Sequence, residues 1–325
     1  MDDKRSLRSD ADLKLNLLTQ KKQRLDGFRP LPPELVKNLD EWFKVELTYT
    51  SNAIEGNTLT RAETALVIEK GLTVQGKSLT EHLEATNHVE ALEYIKTLAG
   101  KKRQDITEQD ILDINRLILN KIEAVNAGRY RTQHARLTET DVILPNPVKV
   151  PELMEEFMGW LVGDNSDHTV KIGADAHYKL VSIHPFSDGN GRTSRLLMNL
   201  LFMQGGYPPA IIRKEDRLAY INSLEKAQKG GGVDDFCSLI YEAVDRSLDV
   251  YLEALQPERE SLEKPTTTQR FYTTDEVASL LQVDPESVRR YVRKGTLRAV
   301  KLGGKFIRID KADFERFIEQ LKTKQ

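Results

Sequence analysis

The chain has 325 residues, of which 39% are hydrophobic and 30% charged, and its formal net charge is −2. No apolar run approaches the roughly 18 residues that a membrane span needs, and charges begin at Asp2, so we expect neither a signal peptide nor a membrane partner. The single cysteine, Cys237, excludes an intramolecular disulfide and favours a reducing, cytoplasmic location.

The first 255 residues are predicted to be helical almost throughout, because apolar residues recur with the 3.6-residue period of an amphipathic helix. The predicted helices are 35–49, 60–70, 82–98, 107–122, 151–161, 175–183, 193–204, 218–229 and 233–255. Thr60 is placed to cap the second of them. Only 129–150 is expected to be extended, and Pro145 and Pro147 exclude a central strand there. The fold class is therefore mainly α.

The C-terminal part of the chain differs from the rest in charge. Residues 270–325 carry 13 Lys and Arg against 8 Asp and Glu, whereas the preceding residues carry 35 against 42. Residues 256–269 hold two prolines and a run of three threonines, which is typical of a linker. We predict an N-terminal helical region (1–100), a helical core (101–255), a linker (256–269) and a small α+β domain (270–325).

One stretch, HPFSDGNGRTSR at 184–195, lies between two predicted helices and combines a base, a carboxylate, a glycine turn and two arginines. Its Gly-Asn-Gly turn opens a helix, where unpaired backbone N–H groups and the helix dipole favour an anion. The two arginines suit phosphate oxygens, the aspartate suits Mg²⁺, and the histidine is placed to accept a proton. Each feature alone is equally typical of an ordinary turn, but together they predict a nucleotide polyphosphate site with a general base.

This stretch matches every position of the HxFx[DE]GNGRxxR signature, and the chain resembles Fic-domain proteins, most of which transfer AMP from ATP to protein hydroxyl groups. The resemblance includes GRYR at 128–131 and LLMNLLFMQGGYPPAII at 196–212, and it covers roughly 31–255. It implies a helical Fic core in which residues 137–148 form a β-hairpin flap that aligns the target backbone by strand pairing. It also implies ATP and Mg²⁺ as cofactors.

The resemblance implies a role for each residue of the signature. His184 deprotonates the target hydroxyl, and Asp188 holds Mg²⁺. Phosphate oxygens are bound by Asn190 together with the backbone of Gly189 and Gly191, by Arg192 at the leaving pyrophosphate and by Arg195 at the γ-phosphate. On the predicted helix 218–229, the candidate adenine contacts are Tyr220 and Gln228.

A second motif, SNAIEGN at 51–57, matches the [ST]xxxE[GN] inhibitory motif of the same family. The motif begins at Ser51. A helix that carries Glu55 would place its carboxylate against Arg195 in a bidentate ion pair. This pair would occupy the cation that is needed for the γ-phosphate. The alternative is that Glu55 is an ordinary solvated helix charge.

Residues 270–325 are predicted to form a helix capped by Thr274, a turn, a second helix, a hairpin turning at Gly303 and Gly304, and a last helix from about Asp310. This pattern resembles the winged helix-turn-helix of excisionase-like and MerR-like DNA-binding domains. The candidate DNA contacts are Arg289, Arg290, Arg293 and Lys294 on the second helix, with Lys305 and Arg308 on the wing. Protein docking is the alternative for such a domain.

The sequence therefore predicts an autoinhibited protein adenylyltransferase that modifies a Ser, Thr or Tyr hydroxyl of a target protein or of itself. Two alternatives remain: a de-AMPylating hydrolase in which Glu55 positions water, and a DNA-binding transcriptional regulator with a Fic sensor core. A homodimer is compatible with the sequence.

Overall fold

The structure is a computed structural model that describes residues 3–136, 140–255, 271–281, 283–302 and 306–322. The chain divides into two compact units, Met1–Pro257 and Glu258–Gln325. The residues of the predicted linker, 256–269, lie outside the described ranges. Among the described residues, every helix is too short or too polar to span a bilayer.

The first unit is helical, as the sequence predicts. Its helices are α1 (Asp3–Asp26), α2 (Pro33–Ile54), α3 (Arg61–Lys70), α4 (Leu79–Leu98), α5 (Glu108–Ile118), α6 (Val150–Val162), α7 (Thr169–Ile183), α8 (Asn190–Gln204), α9 (Arg217–Gln228) and α10 (Asp234–Leu255). Short 3₁₀ turns lie at Arg103–Asp105, Pro147–Lys149 and Lys214–Asp216. Thr60 caps α3, and Glu63 completes a capping box with it.

Helix α1 is the element that the sequence pattern missed. It packs against α10 through a narrow apolar stripe that includes Leu18 and Leu25, each about 1% exposed. Beside that stripe, the Lys21 ammonium lies 2.7 Å from a carboxylate oxygen of both Asp245 and Asp249. Most other positions of α1 are charged or polar, so the helical period is weak in the sequence and only the partner helix reveals it.

Helices α7 and α8 form the centre of the first unit. Twelve of the 15 residues of α8 are buried, and α8 packs against α2, α4, α5 and α7. Gly173 of α7 permits this close approach, because a Cβ there would lie 2.3 Å from the Phe202 ring of α8. The loop that joins α7 to α8 is thus held at both ends by tightly packed helices.

The predicted flap lies between α5 and α6. Leu137, Thr138 and Glu139 lie outside the described residues, and the described part, 140–148, has no regular secondary structure before its 3₁₀ turn. Pro145 and Pro147 lack the N–H donors that a strand ladder needs. Ile143 is 95% exposed. The described part of the flap therefore leaves its backbone free of a strand partner within this unit.

The second unit is a small α+β domain. Its described elements are β1 (Phe271–Thr273), α11 (Thr274–Leu281), α12 (Pro285–Arg293), β2 (Val300–Leu302), β3 (Phe306–Asp310) and α13 (Lys311–Lys322). The strands form an antiparallel sheet in the order β1–β3–β2. The core contains Val277, Val288, Leu297 and Ile309.

Two details of this unit differ from the sequence prediction. The helix α11 is capped by Thr273, not by Thr274, because the Thr273 Oγ1 accepts the backbone N–H of Glu276 at 3.2 Å. In return, the Thr273 N–H donates to the Glu276 carboxylate at 2.6 Å. The strand β1, only three residues long, was not predicted. The predicted turn at Gly303 and Gly304 lies outside the described residues.

Candidate active site

The loop between α7 and α8 is bracketed by two residues with left-handed backbone conformation. His184 ends α7 with φ 52° and Gly189 precedes α8 with φ 76°. No side chain caps the start of α8, so its first backbone N–H groups remain available to an anion. A side chain at 189 would also meet Asn115, whose Nδ2 would lie 2.9 Å from the new Cβ. The glycine is therefore required by both conformation and space.

Asn190 has a structural role that the sequence did not predict. Its Oδ1 accepts the Phe186 N–H at 2.9 Å, and its Nδ2 donates to the Phe186 carbonyl at 2.8 Å. Both ends of the amide are thus engaged in closing the loop, and Phe186 itself is fully buried. The side chain therefore closes the loop, and a phosphate contact for Asn190 stays a prediction.

The geometry of His184 suits a general base. Its Nδ1 lies 3.3 Å from the Val181 carbonyl, which assigns the ring proton to Nδ1 and leaves Nε2 as an acceptor. Burial lowers the pKa of His184 to about 4, although the hydrogen bond to Val181 opposes the shift. The imidazole is therefore neutral at pH 7, which is the form that takes a proton.

Two buried polar residues that sequence reasoning missed hold this loop in place. The Arg131 Nε donates to the His184 carbonyl at 2.7 Å, and its Nη2 donates to the Pro145 carbonyl at 2.7 Å. The Asn115 Nδ2 donates to the Asp188 carbonyl at 3.0 Å. Asn115 lies four residues after Ile111, on the apolar face of α5. A polar residue on an apolar helix face is the sequence feature that could have identified it.

Arg195 is paired with the inhibitory motif, as the sequence predicts. Its Nη2 lies 2.7 Å from the Glu55 Oε1 and donates to the Ser51 carbonyl at 2.9 Å. Its Nε donates to the Ser51 Oγ at 3.1 Å. The predicted bidentate pair is wrong, because Ser51 takes the contacts that a second carboxylate oxygen would need. Arg195 is 5% exposed, so its guanidinium is largely desolvated, while the Glu55 side chain is 37% exposed.

The Glu55 carboxylate lies on the N-terminus of α8. A Cβ on Gly191 would be 2.3 Å from the Glu55 Oε1. Glu55 is the residue after the last turn of α2, not inside the helix. Burial opposes ionisation of this carboxyl, but Arg195, together with Arg192 and Arg217, holds its pKa below the usual range. A carboxylate anion therefore already occupies the anion site that the sequence predicts for a phosphate.

Arg192 contacts two carboxylates. Its Nη1 lies 2.9 Å from the Glu84 Oε1, while its Nη2 lies 3.4 Å from the Asp188 Oδ2. Glu84, on α4, belongs to no motif and was missed by sequence reasoning. Its Oε2 accepts the Asn57 Nδ2 at 2.8 Å, so it also contacts the last residue of the inhibitory motif. Asp188 has a side chain 55% exposed.

Tyr220 does not face an adenine site. It is 1% exposed, and its hydroxyl lies 3.3 Å from the Arg195 Nη1 and 2.9 Å from the His177 Nε2. The sequence interpretation is corrected: Tyr220 supports Arg195 from the core. Gln228 is half-buried, and its Nε2 donates to the Ser182 Oγ at 3.3 Å. An adenine contact for Gln228 stays a prediction.

The second unit presents a row of cations on α12. The candidate DNA contacts Arg289, Arg290, Arg293 and Lys294 are all exposed. Within the helix, Glu286 lies 3.3 Å from the Arg289 Nη1 and 2.5 Å from the Arg293 Nη2. Exposed pairs of this kind are weak, so both arginines remain able to change partner. Arg308 is half-buried on β3, and Lys305 lies outside the described residues.

Comparison with known proteins agrees with both units. The Fic/DOC family model matches residues 105–202, and a helix-turn-helix domain model matches residues 271–322. The protein named "Protein adenylyltransferase Fic" from Culex quinquefasciatus is 40% identical over 239 residues, which are 73% of this chain and 47% of the relative. Its namesake from Drosophila melanogaster is 42% identical over 208 residues, 63% of this chain and 42% of the relative.

Two solved structures are similar over most of the chain. Fic-1 from C. elegans has a TM-score of 0.71 and 31% identity, with coverage of 78% of this chain and 75% of that chain. A Fic domain containing signaling protein from Bacteroides thetaiotaomicron has a TM-score of 0.66 and 30% identity, with coverage of 74% and 97%. The chain spans about half the length of the curated relatives it matches.

Proposed function

This chain belongs to the Fic/DOC family, and on that premise we propose that it is a protein adenylyltransferase, which transfers AMP from ATP to a hydroxyl side chain of a target protein or of itself. The relatives at about 40% identity that bear this name support the proposal. The observation that carries it is the pairing of a neutral His184 with an anion site at the start of α8. Such a site serves nucleotidyl transfer to a hydroxyl.

The reaction follows from these residues. The oxygen of the target hydroxyl attacks the α-phosphorus, the His184 Nε2 takes the hydroxyl proton, and the bond to pyrophosphate breaks. Backbone N–H groups at the start of α8 stabilise the charge that develops on the α-phosphoryl oxygens. Arg192 and Arg195 neutralise the leaving pyrophosphate. Most of the rate enhancement then comes from positioning and from fixed charge.

Asp188 is the residue that fits Mg²⁺. Its carboxylate is more than half exposed beside the anion site, and its Oδ1 accepts the Gly189 N–H at 2.6 Å, which fixes its orientation. One carboxylate combined with phosphate oxygens and waters is a ligand set that magnesium accepts. When bound, magnesium would neutralise charge on the triphosphate.

Glu55 makes the proposed enzyme autoinhibited. Its carboxylate holds Arg195 and lies against Gly191, so ATP has to displace it before the γ-phosphate reaches the guanidinium. The Arg195 charge is largely desolvated, whereas the Glu55 side chain is 37% exposed, so removal of Glu55 without a compensating anion would leave a buried cation unpaired. Autoinhibition by one residue inside the chain follows from this geometry.

One observation favours hydrolytic removal of AMP as a second activity. The Glu55 carboxylate lies against Gly191 at the start of α8, the helix that follows the loop beginning at His184. A carboxylate at the same site as a neutral histidine would be able to orient water for attack on an AMP–hydroxyl bond. Release of AMP from a modified protein, without pyrophosphate, distinguishes this activity from transfer.

We also propose that the second unit binds DNA through α12, which the helix-turn-helix match and the exposed cations support. A transcriptional regulator with a Fic sensor core would require DNA binding for its function. An adenylyltransferase would instead use DNA binding to determine where it acts. The cytoplasmic location stays a prediction.

His184→Ala tests the proposed transfer. In a Glu55→Gly background, we expect AMP incorporation from ATP labelled at the α-phosphate to fall by about 10²–10⁴-fold, the usual contribution of a general base. Binding of ATP, measured by calorimetry, should change little because other groups hold the phosphates. The matched control is His134→Ala, which removes an exposed histidine. The proposal would be contradicted if His184→Ala left AMP incorporation unchanged. It would also be contradicted if the Glu55→Gly protein itself incorporated no AMP.

A further inference from the structure

Glu84 holds the guanidinium of Arg192 although it belongs to no recognised motif. It lies 108 residues away in sequence, its side chain is 18% exposed, and its Oε1 is 2.9 Å from the Arg192 Nη1. Arg192 is 3% exposed, and its buried Nε has no hydrogen-bond partner among the described residues. Glu84 therefore makes the shorter of the two charged contacts of Arg192. The hydrogen-bonding capacity of this guanidinium is only partly used by the surrounding protein.

The second carboxylate near Arg192 is Asp188. Asp188 lies in the loop just before α8, and Arg192 lies four residues later in the first turn of that helix. The Arg192 Nη2 is 3.4 Å from the Asp188 Oδ2, longer than the 2.9 Å contact with Glu84. The guanidinium group is rigid and planar. While Glu84 holds its Nη1, the group cannot rotate fully toward Asp188. Glu84 thus competes with Asp188 for the same guanidinium.

We propose that Glu84 is a positioning residue that holds Arg192 toward α4 and so keeps the Asp188 carboxylate free for the metal of Mg·ATP. Without Glu84, Arg192 would close on Asp188 and neutralise the carboxylate that fits the metal. This inference rests on the proposed function, since it assigns a role to a residue beside the same site.

The inhibitory motif contacts the same turn of α4. The Asn57 Nδ2 donates to the Glu84 Oε2 at 2.8 Å, and the Asn52 Nδ2 donates to the Glu84 carbonyl at 3.2 Å. These two asparagines flank Glu55 on either side. The position of Glu84, and with it that of Arg192, is therefore tied to the segment that carries the inhibitory carboxylate.

Binding of α,β-methylene-ATP, whose bridge is not cleaved, tests the inference by calorimetry with Mg²⁺ and with EDTA. Every variant also carries Glu55→Gly, so that Arg195 is available to the γ-phosphate. We expect Glu84→Ala to weaken binding by about 10-fold with Mg²⁺, the usual effect of losing a group that supports a metal ligand. In EDTA the loss should be clearly smaller, because only the contact of Arg192 with phosphate oxygens is then affected. Glu84→Gln, which keeps an acceptor oxygen but loses the charge, should show a smaller effect in the same direction.

The matched control is Glu81→Gln, which makes the same charge change one turn earlier on α4, where the carboxylate accepts from Thr58 and Ser78. It should leave both affinities unchanged. The inference would be overturned if Glu84→Ala lost the same affinity for the nucleotide with and without Mg²⁺, or if it lost no affinity with Mg²⁺. If Glu84→Ala does not fold, Glu84→Gln decides by the same criteria. This experiment measures nucleotide binding and not AMP transfer. Its result can therefore be interpreted even if the chain proves to have no adenylyltransferase activity.

Discussion

Arg195 shows how one side chain serves two opposite states. In the structure it donates to Ser51 and to Glu55, and Tyr220 supports it from the core. A guanidinium that is 5% exposed needs these partners, because an unpaired buried charge is strongly destabilising. An incoming γ-phosphate can replace Glu55 as the anion while Ser51 and Tyr220 stay in place. Inhibition and catalysis therefore use the same cation.

Two substitutions that cut the Glu55–Arg195 pair should have opposite effects. Glu55→Gly frees the guanidinium for ATP, and we expect self-modification to rise by about 10-fold, within the usual range for coupling between sites. Arg195→Ala should not activate, since the same guanidinium orients the triphosphate. Mass spectrometry of the protein after incubation with ATP measures both.

Glu55→Gln is the matched control for this pair of variants. It keeps the volume of the side chain and removes its charge, so partial activation is expected. The double variant should resemble Arg195→Ala. No gain of AMP in a folded Glu55→Gly protein would mean that the pair does not inhibit.

At the scale of elements, the α7–α8 pair sets the site. His184 ends one helix and Gly189 precedes the other, and Gly173 allows the two axes to approach closely. Interiors are packed so tightly that an added methyl group has to displace its neighbours. The distance from the base to the anion site therefore depends on a residue eleven positions before His184.

We expect Gly173→Ala to destabilise the first unit by about 1–3 kcal/mol, the usual cost of overpacking a core. The new Cβ would overlap the Phe202 ring, so the helices must separate. Thermal or urea unfolding followed by circular dichroism measures the change. Gly159→Ala on α6 is the matched control, because no atom lies within 4 Å of its new Cβ. That variant should instead gain about 0.5–1 kcal/mol from helix propensity. Equal stabilities of the two variants would contradict this explanation.

At the scale of the whole molecule, two units of different charge share one chain. The second unit is the basic one, and four of its exposed cations lie on α12 and at its C-cap. Long-range attraction to nucleic acid would then come from this unit alone, since the rest of the chain is acidic.

If α12 binds DNA, the affinity of the full chain should fall steeply with salt, because each phosphate contact releases counterions. Replacing both Arg289 and Arg293 by Ala should weaken binding and reduce the log–log salt slope by about 1.8, or 0.9 per lost contact. Fluorescence anisotropy with duplex DNA fragments at several salt concentrations measures both quantities. Arg316→Ala, on the last helix, is the control with the same type of charge change. Absence of binding at low salt would favour protein docking instead.

The sequence by itself determined the features that depend on near neighbours. The 3.6-residue period predicted nine helices of the first unit, and the Thr60 cap depends on residues three apart. The stretch 184–195 likewise places a base, a glycine turn and two arginines together whatever the rest of the chain does. Its interpretation as an anion site required only that a helix begin at Asn190.

Only the tertiary structure decided which partner each of these groups has. Glu84 reaches Arg192 across 108 residues and Ser51 reaches Arg195 across 144, and no local pattern specifies either contact. Tyr220 and Asn190 have polar groups that suit a ligand, but packing directs them to Arg195 and to the Phe186 backbone. A buried donor or acceptor takes whatever partner the fold brings near, because leaving it unpaired is costly. Local chemistry thus identified the site, and long-range packing determined the state in which it is held.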